Sequence, residues 1–172
     1  MAGDIYTAAK RSAIMSAVKS KNTKPERRVR SALHALGYRF RLHRKDLPGV
    51  PDIVLPKYRT VVFVHGCFWH QHPGCKKATL PQQNREFWAA KLSGNADRDL
   101  VVEHELATLG WHVLVIWECM IPRRGDEVGA FVHSILPPTM RSTLAAVDST
   151  SDVRGDMKPT PAPKVRTGNE KT

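Results

Sequence analysis

Apolar positions in the first part of the chain recur at helical spacing and are followed by short strand-like runs. Residues 23–26 (Thr-Lys-Pro-Glu) have the pattern of a capping box with proline in the first turn, which predicts the start of a helix. Apolar residues then share one face as far as Gly37, a typical helix terminator, so we predict a helix over residues 23–37. A shorter basic helix is predicted over residues 7–20.

Three apolar runs and one alternating run predict strands. Residues 38–42 alternate apolar and basic side chains, as a half-buried strand does. Residues 52–55 and 60–65 are short apolar runs separated by a proline-containing turn, which predicts an antiparallel hairpin. The apolar run at 111–117 is continuous, so we expect a central strand that is buried on both faces.

Helices are predicted between and after the later strands. A helix over residues 84–92 is expected to break at Gly94, and a second helix, capped by Asn95, is expected to run to Leu109. A final helix is predicted over residues 126–136. This order of elements predicts an α/β fold in which helices flank a mixed central β-sheet.

Composition indicates one folded domain followed by a tail. A chain of 172 residues with 41% hydrophobic content can bury one ordinary core, so we predict a single domain over residues 1–136. Residues 137–172 are rich in Pro, Ser and Thr and nearly free of aromatics, which predicts a disordered tail. No run approaches the ~18–20 apolar residues that span a bilayer, and no signal core follows the N-terminus, so we expect a cytoplasmic protein.

The positive charge is concentrated near the N-terminus. The net charge is +11, and most of this excess lies in residues 1–46. Such a segment attracts a polyanion through phosphate contacts and counterion release, which favours a nucleic-acid partner. The alternative explanation is a basic surface that only keeps the protein soluble.

Three cysteines and a histidine cluster have the composition of a metal site. Three thiolates and one imidazole form closed tetrahedral zinc sites, in which the thiolates neutralise the ion. A reducing compartment keeps thiols free for such a metal. We therefore predict a structural Zn²⁺ that joins two distant strand ends. Its ligands would be Cys67, His72, Cys75 and Cys119, with His72 favoured over His70 as the imidazole.

A carboxylate and two imidazoles are expected to meet at the end of the hairpin. Folding would bring the Asp52 carboxylate beside the backbone carbonyl of Val64, and such oxygen ligands suit Mg²⁺. His65 or His70 would then be close enough to act as general base for an attacking water. An ordinary turn carboxylate explains Asp52 equally well, and the capping box fully explains Glu26.

Large aromatic side chains lie next to these groups. Phe68 and Trp69 follow Cys67 directly, and Trp88 lies on a predicted helix. Such rings can insert between base steps in basic DNA-binding proteins. Core packing is an equally good explanation, and on the helix it is Phe87 that could face the core instead.

Three segments carry a more specific signal: residues 48–52 (Pro-Gly-Val-Pro-Asp), 65–70 (His-Gly-Cys-Phe-Trp-His) and 110–119 (Gly-Trp-His-Val-Leu-Val-Ile-Trp-Glu-Cys). In this order and spacing they resemble the very short patch repair DNA mismatch endonucleases of bacteria. The similarity covers roughly residues 8–136, and the tail lies outside it.

The resemblance implies a fold related to type II restriction endonucleases, a catalytic Mg²⁺ and a structural Zn²⁺. Members of the family recognise T·G mismatches left when 5-methylcytosine deaminates, and they nick on the 5′ side of the mismatched T so that a short patch is replaced. It also implies a nucleoid-associated protein that contacts mismatch-repair proteins, and we expect a monomer.

The resemblance also implies roles for individual residues. Asp52 would bind Mg²⁺ together with the carbonyl of Val64, a position that holds threonine in the best-known member. His70 would be the catalytic imidazole, and His65 and Glu26 would act around metal-bound water. The residues that would insert into DNA are Phe68, Trp69 and Trp88 from one groove and Met15 and Val18 from the other.

Two other functions compete with a mismatch endonuclease. A zinc-stapled DNA-binding module without catalysis would need neither Asp52 nor His70. A restriction-type endonuclease for matched duplex DNA would normally carry an acidic-x-Lys pair on the second strand, where residues 64–66 read Val-His-Gly. Nicking of matched and T·G duplexes in the presence of Mg²⁺ distinguishes the three.

Overall fold

The computed structural model describes residues 21–137 without interruption, together with a few positions on either side: Lys10, Ala13, Ser16, Ala17, Lys19 and Met140. Most of the helix predicted over residues 7–20, including Met15 and Val18, lies outside the described residues. So does the predicted tail, apart from Pro137 and Met140.

The first described helix, α1 (Lys24–Ala35), begins where the capping box predicts it. The Thr23 hydroxyl accepts a hydrogen bond from the Glu26 N–H, and the Glu26 carboxylate accepts one from the Thr23 N–H at 3.3 Å. Both donors would otherwise be orphaned at the helix terminus. The helix buries Val29 and Leu33 against the sheet, and the chain leaves it through Gly37 with φ 82°.

Three strands form a mixed sheet in the order β1-β2-β3, which confirms the predicted α/β class. Strand β1 (Ile53–Leu55) pairs antiparallel with β2 (Thr60–His65), with Ile53 opposite Val62. A 3₁₀ turn at Pro56–Tyr58 closes this hairpin. Strand β3 (His112–Trp117) pairs parallel with β2, with Val64 opposite Ile116, so the C-terminal ends of both strands lie side by side.

Two strand predictions are wrong. Residues 38–42 form no strand: their only ladder contact is an isolated bridge between Arg41 and Val54. Tyr38 is buried in a loop instead, where its hydroxyl donates to the Met140 carbonyl oxygen. Strand β3 lies at the edge of the described sheet, because β2 pairs with β1 on one side and with β3 on the other. Within β3 only Ile116 is buried, so the strand is not buried on both faces as predicted.

Helix α2 (Arg85–Thr108) is continuous, so the predicted break at Gly94 is also wrong. Glycine in a helix costs only about 1 kcal/mol relative to alanine, which the packing of a long helix can offset. Asn95 caps no helix: its side-chain amide donates to the Trp69 carbonyl oxygen at 3.0 Å. The middle of one continuous helix therefore lies against the loop that follows β2.

Helix α3 (Gly125–Ile135) lies within one residue of its predicted bounds and packs on α1. Val128 and Val132 join Val29 and Leu33 in the main core beneath the sheet. No helix in the described part of the chain is long and apolar enough to cross a membrane.

Replacing Gly94 by alanine is expected to stabilise the protein by about 0.5–1 kcal/mol, because a Cβ at this position meets no atom within 4 Å and glycine is the more costly helix residue. Chemical denaturation of Gly94→Ala measures the gain. The matched variant Gly49→Ala should be destabilised, since Gly49 has φ 67° and its Cβ would lie 2.4 Å from a Val102 methyl. Equal stabilities for the two variants would contradict this account.

Candidate functional site

Three thiols and one imidazole converge at the C-terminal ends of β2 and β3. Cys67 follows β2 and Cys119 follows β3, and the parallel pairing of these strands brings the two sulfurs to the same end of the sheet. The donor atoms of the cluster all lie within 4.8 Å of one another. His72 Nδ1 lies 3.6 Å from the Cys67 sulfur and 3.2 Å from the Cys119 sulfur. The four residues are the predicted set: Cys67, His72, Cys75 and Cys119.

This donor set fits a tetrahedral soft-metal site. Burial raises the pKa of the Cys67 thiol to about 12, so a thiolate is disfavoured there unless a cation compensates its charge. The His72 ring stacks on Trp117 with centroids 4.2 Å apart and an angle of 10°, which fixes the direction of Nδ1. Three sulfurs and an oriented nitrogen form the ligand set expected of structural zinc.

A second cluster lies on the other side of the same loop. The rings of His65 and His70 are stacked, with centroids 3.8 Å apart and an angle of 8°. His70 Nδ1 lies 2.6 Å from a carboxylate oxygen of Asp99. Burial, together with the adjacent His70, lowers the pKa of His65 to about 4, so His65 is neutral at pH 7. The pair therefore consists of a neutral buried ring and a second ring oriented by a carboxylate.

The loop after β2 directs the rings of His70 and His72 to different clusters. Backbone bonds from the His70 N–H to Gly66 and from the His72 N–H to Cys67 fold the loop into a tight turn. His72 consequently faces the thiols, whereas His70 faces helix α2. The geometry thus favours His72 over His70 as the imidazole of the thiol cluster.

Asp99 is the residue that sequence reasoning missed. It lies on α2, one turn after Asn95, and both side chains reach the loop that contains Trp69 and His70. The i,i+4 spacing of these two polar residues was the available signal. The capping role predicted for Asn95 obscured it, because the side chain of an N-cap bonds to the first N–H groups of its own helix and not to a neighbouring loop.

Asp52 lies at the mouth of the hairpin, as predicted. Its carboxylate accepts a hydrogen bond from the Val64 N–H at 2.8 Å. The observed contact is thus with the amide N–H of Val64, whereas the prediction concerned the carbonyl of that residue. Burial raises the pKa of Asp52, which means that the ionised carboxylate lacks full compensation from the protein alone. A buried carboxylate of this kind is suited to a cation.

A cavity of about 660 Å³ brings the predicted catalytic residues together. Lys19 and Lys21 on its border supply positive charge, and Trp69 forms part of its wall. The predicted catalytic and magnesium-binding residues that line it are Glu26, Asp52, Val64, His65 and His70, and Asp99 joins them.

Glu26 is more heavily engaged than its predicted role implies. Its carboxylate accepts bonds from the Asn22 N–H at 2.9 Å and the Thr23 hydroxyl at 2.7 Å, in addition to the capping box. It also pairs with Arg30 at 2.6 Å. The capping explanation is therefore correct, although it does not account for the ion pair.

The aromatic residues form one cluster next to this cavity. Phe68 contacts Trp69 and Trp88 edge to face, with centroids 5.1 and 5.5 Å apart. Trp88 is only 7% exposed, whereas its neighbour Phe87 is 59% exposed, so the alternative that Phe87 faces the core is wrong. The Lys91 ammonium lies within 6.0 Å of three of these ring centroids, which places positive charge over the cluster. Rings and charge together make a surface suited to a nucleic acid.

Comparisons with known proteins identify the family to which the chain belongs. Residues 3–77 match the family model described as DNA mismatch endonuclease Vsr. The chain is 52% identical over 126 residues to a protein named type II nicking enzyme V.XorIIP from Xanthomonas oryzae, covering 73% of this chain and 91% of the relative. It is 42% identical over 124 residues to the DNA mismatch endonuclease Vsr of Escherichia coli, covering 72% of this chain and 78% of that protein.

A third relative, the type II nicking enzyme V.NmeAIP from Neisseria meningitidis, is 47% identical over 121 residues, which are 70% of this chain and 86% of the relative. The residues that match the family model include Asp52, His65 and His70 of the cavity and three ligand candidates of the thiol cluster, Cys67, His72 and Cys75. The chain therefore belongs to the Vsr family of DNA endonucleases.

Proposed function

We propose that this endonuclease is a Mg²⁺-dependent, strand-specific mismatch enzyme that nicks DNA on the 5′ side of the T in T·G mismatches. Such mismatches arise when 5-methylcytosine deaminates, and the nick would initiate very short patch repair. The observation that carries the proposal is the single cavity that Asp52, His65, His70 and Asp99 share beside an aromatic cluster. The Escherichia coli relative is named as a DNA mismatch endonuclease, which supports the same substrate.

The Asp52 carboxylate and the Val64 carbonyl would hold the Mg²⁺ at the hairpin mouth. When bound there, the ion supplies polarisation of the scissile phosphoryl group and stabilisation of the leaving oxygen. Asp52 suits this role because its buried carboxylate accepts one N–H bond and gains a counter-charge from a cation. Glu26, on the same cavity wall, would act around water molecules near the ion.

His70 would remove the proton from the attacking water. Asp99 engages Nδ1, so Nε2 is the free nitrogen that accepts this proton. The Asp99 carboxylate then stabilises the imidazolium that forms, as the acid does in a histidine–aspartate pair. His65 is neutral and stacked on the His70 ring, so it orients His70 without adding a positive charge that would oppose protonation.

The aromatic cluster would select the mismatch through the ease with which DNA deforms. A T·G wobble pair stacks poorly, so insertion of Phe68 and Trp69 beside it costs less than insertion at a matched pair. Trp88 was expected to insert with them, but it is only 7% exposed and packs against both rings, so it would support Phe68 and Trp69 without entering the DNA itself. Met15 and Val18 would enter from the other groove.

The Cys67, His72, Cys75 and Cys119 cluster would hold a structural Zn²⁺. It lies at the ends of β2 and β3, so the ion would brace the loop that carries Trp69 and His70. We further propose a monomeric cytoplasmic protein at the nucleoid that contacts mismatch-repair proteins, and a fold related to type II restriction endonucleases.

A nicking assay tests the proposed function. The protein is incubated with Mg²⁺ and duplexes that carry either T·G or T·A at one position, in several sequence contexts. Nicking 5′ of the mismatched T, with little cleavage of the matched duplex, is the expected result. Equal cleavage of the matched duplex would favour the restriction-type enzyme, and binding without cleavage would favour the DNA-binding module.

Asp99→Asn is expected to slow nicking of the T·G duplex by about 10²-fold or more, because the amide cannot stabilise the His70 imidazolium as a carboxylate does. Single-turnover rates at saturating protein measure this loss. Asp97→Asn is the matched control, since Asp97 is an exposed aspartate on the same helix. Equal rates for the two variants would remove Asp99 from the mechanism.

A further inference from the structure

A buried arginine lies behind the candidate active site and is used by none of the steps above. Arg30 on α1 is 9% exposed, and its guanidinium contacts groups from three segments. It donates to the Asn22 side-chain oxygen at 2.6 Å and to the Glu26 carboxylate at 2.6 Å. Its Nη2 also lies 3.1 Å from Nε2 of His43, in the loop before β1. One side chain thus connects the start of α1 to the loop that leads to Asp52.

This arrangement is costly for the fold. Asn22 and His43 both adopt left-handed backbone conformations, with φ of 56° and 47°, a region that costs a residue with a side chain more than it costs glycine. The Nε of Arg30 is buried without a hydrogen-bond partner among the described residues. A buried ion pair is in general no better for stability than well-packed apolar groups. Stability alone therefore explains this arginine poorly.

The position of its partners indicates another role. Glu26 and His43 both line the cavity that contains Asp52, whereas Arg30 itself does not. Glu26 is close enough for its charge to act on the Asp52 carboxylate. Because a guanidinium can only donate, His43 Nε2 accepts and the ring proton of His43 resides on Nδ1. Arg30 thereby fixes both the place of a carboxylate and the tautomer of an imidazole.

We propose that Arg30 is a positioning residue, which holds Glu26 and His43 in the cavity wall and thereby sets the affinity of the cavity for its divalent cation. The inference rests on the proposed function, because it assumes that Asp52 binds a cation in this cavity. Without Arg30, the Glu26 carboxylate loses its charge partner, and the His43 loop is no longer tied to α1. The cation then meets a wall whose negative group is no longer fixed beside Asp52.

Binding of Mn²⁺ to the protein alone tests this inference. Mn²⁺ is titrated into Arg30→Met and followed by electron paramagnetic resonance, with Asp52→Asn identifying the signal that belongs to the cavity. The expected result is an affinity for Mn²⁺ about 10-fold or more below that of the wild type, which is the typical loss when a residue that orients a metal ligand is removed. Arg27→Met is the matched control, an exposed arginine on the same helix, and its affinity should stay within about twofold of wild type.

His43 supplies the second variant, since Arg30→Met could fail to fold. His43→Ala leaves the Glu26–Arg30 pair intact but cuts the tie to the loop, and it should also weaken Mn²⁺ binding. His43→Gln offers an amide oxygen to the same guanidinium and should restore most of the affinity. A merely structural role would lower the melting temperature of these variants without changing their Mn²⁺ affinity.

Nicking of the T·G duplex by the wild type tests the proposed function separately. An active wild type, combined with equal Mn²⁺ affinities in Arg30→Met and Arg27→Met, overturns this inference alone. If Arg30→Met does not fold, wild-type Mn²⁺ affinity in His43→Ala overturns it in the same way.

Discussion

Asp52→Asn is expected to abolish strand nicking while it raises the melting temperature of the protein in the absence of Mg²⁺. The rate should fall by about 10³-fold or more, because the amide removes the charged ligand of the proposed Mg²⁺, which would supply several kcal/mol to the transition state. DNA binding should be largely preserved, since the proposed DNA contacts come from the basic N-terminal segment and the aromatic cluster. Single-turnover nicking and a DNA-binding titration measure the two effects.

The gain in stability follows from the direction of the Asp52 pKa shift. Burial raises the pKa of Asp52 in the folded protein, so the fold favours the protonated carboxyl more than the unfolded chain does. Ionisation therefore destabilises the fold, and this penalty grows as the pH rises through the ordinary pKa and is complete above the raised value. Asparagine mimics the neutral form, so the gain should be present at pH 7 and disappear toward pH 3.

Thermal melts of the wild type and Asp52→Asn across this pH range, without added Mg²⁺, measure the gain. Excess Mg²⁺ should narrow the difference at pH 7, because only the wild type gains a ligand. Asp46→Asn is the control: a hydrogen bond from Arg44 lowers the pKa of this exposed carboxyl, so its loss should give no such gain and leave nicking unchanged. A wild type more stable than Asp52→Asn at pH 7 without Mg²⁺ would contradict the burial argument.

Cys119→Ser is expected to lose its zinc and several kcal/mol of stability. The metal would join the ends of β2 and β3, so its binding free energy becomes folding free energy for both segments. For a domain of this size, a loss of a few kcal/mol lowers the melting temperature by roughly 10 °C. Elemental analysis of the purified protein and thermal melts measure the two quantities. Unchanged zinc content would refute Cys119 as a ligand.

The two imidazoles of the loop offer a sharper pair of variants. His72→Asn should lose zinc and stability together, because Nδ1 of His72 faces the thiols. His70→Asn should keep its zinc and its melting temperature but lose nicking, because His70 is paired with Asp99. The reverse pattern, with zinc lost from His70→Asn, would exchange the roles assigned to these histidines.

Local features of the sequence were sufficient for the elements that depend on neighbouring residues. The capping box at Thr23 and Glu26 determines where α1 begins, because its donors and acceptors lie within one turn. The hairpin of β1 and β2 is likewise local, and the donor set of three thiols and an imidazole is apparent from residue types alone. The resemblance to the mismatch endonuclease family was also evident from the sequence, because it rests on short contiguous motifs.

Only the tertiary structure decided the features that join distant segments. An apolar run gives no indication of its place in the sheet, so β3 was expected at the centre but lies at an edge. The continuity of α2 through Gly94 depends on packing that a local propensity does not include. The partnership of His70 with Asp99 and that of Arg30 with His43 have no local signature, since each joins side chains from separate elements. Residue types thus determined which chemistry the chain can perform, and long-range contacts determined which side chains perform it.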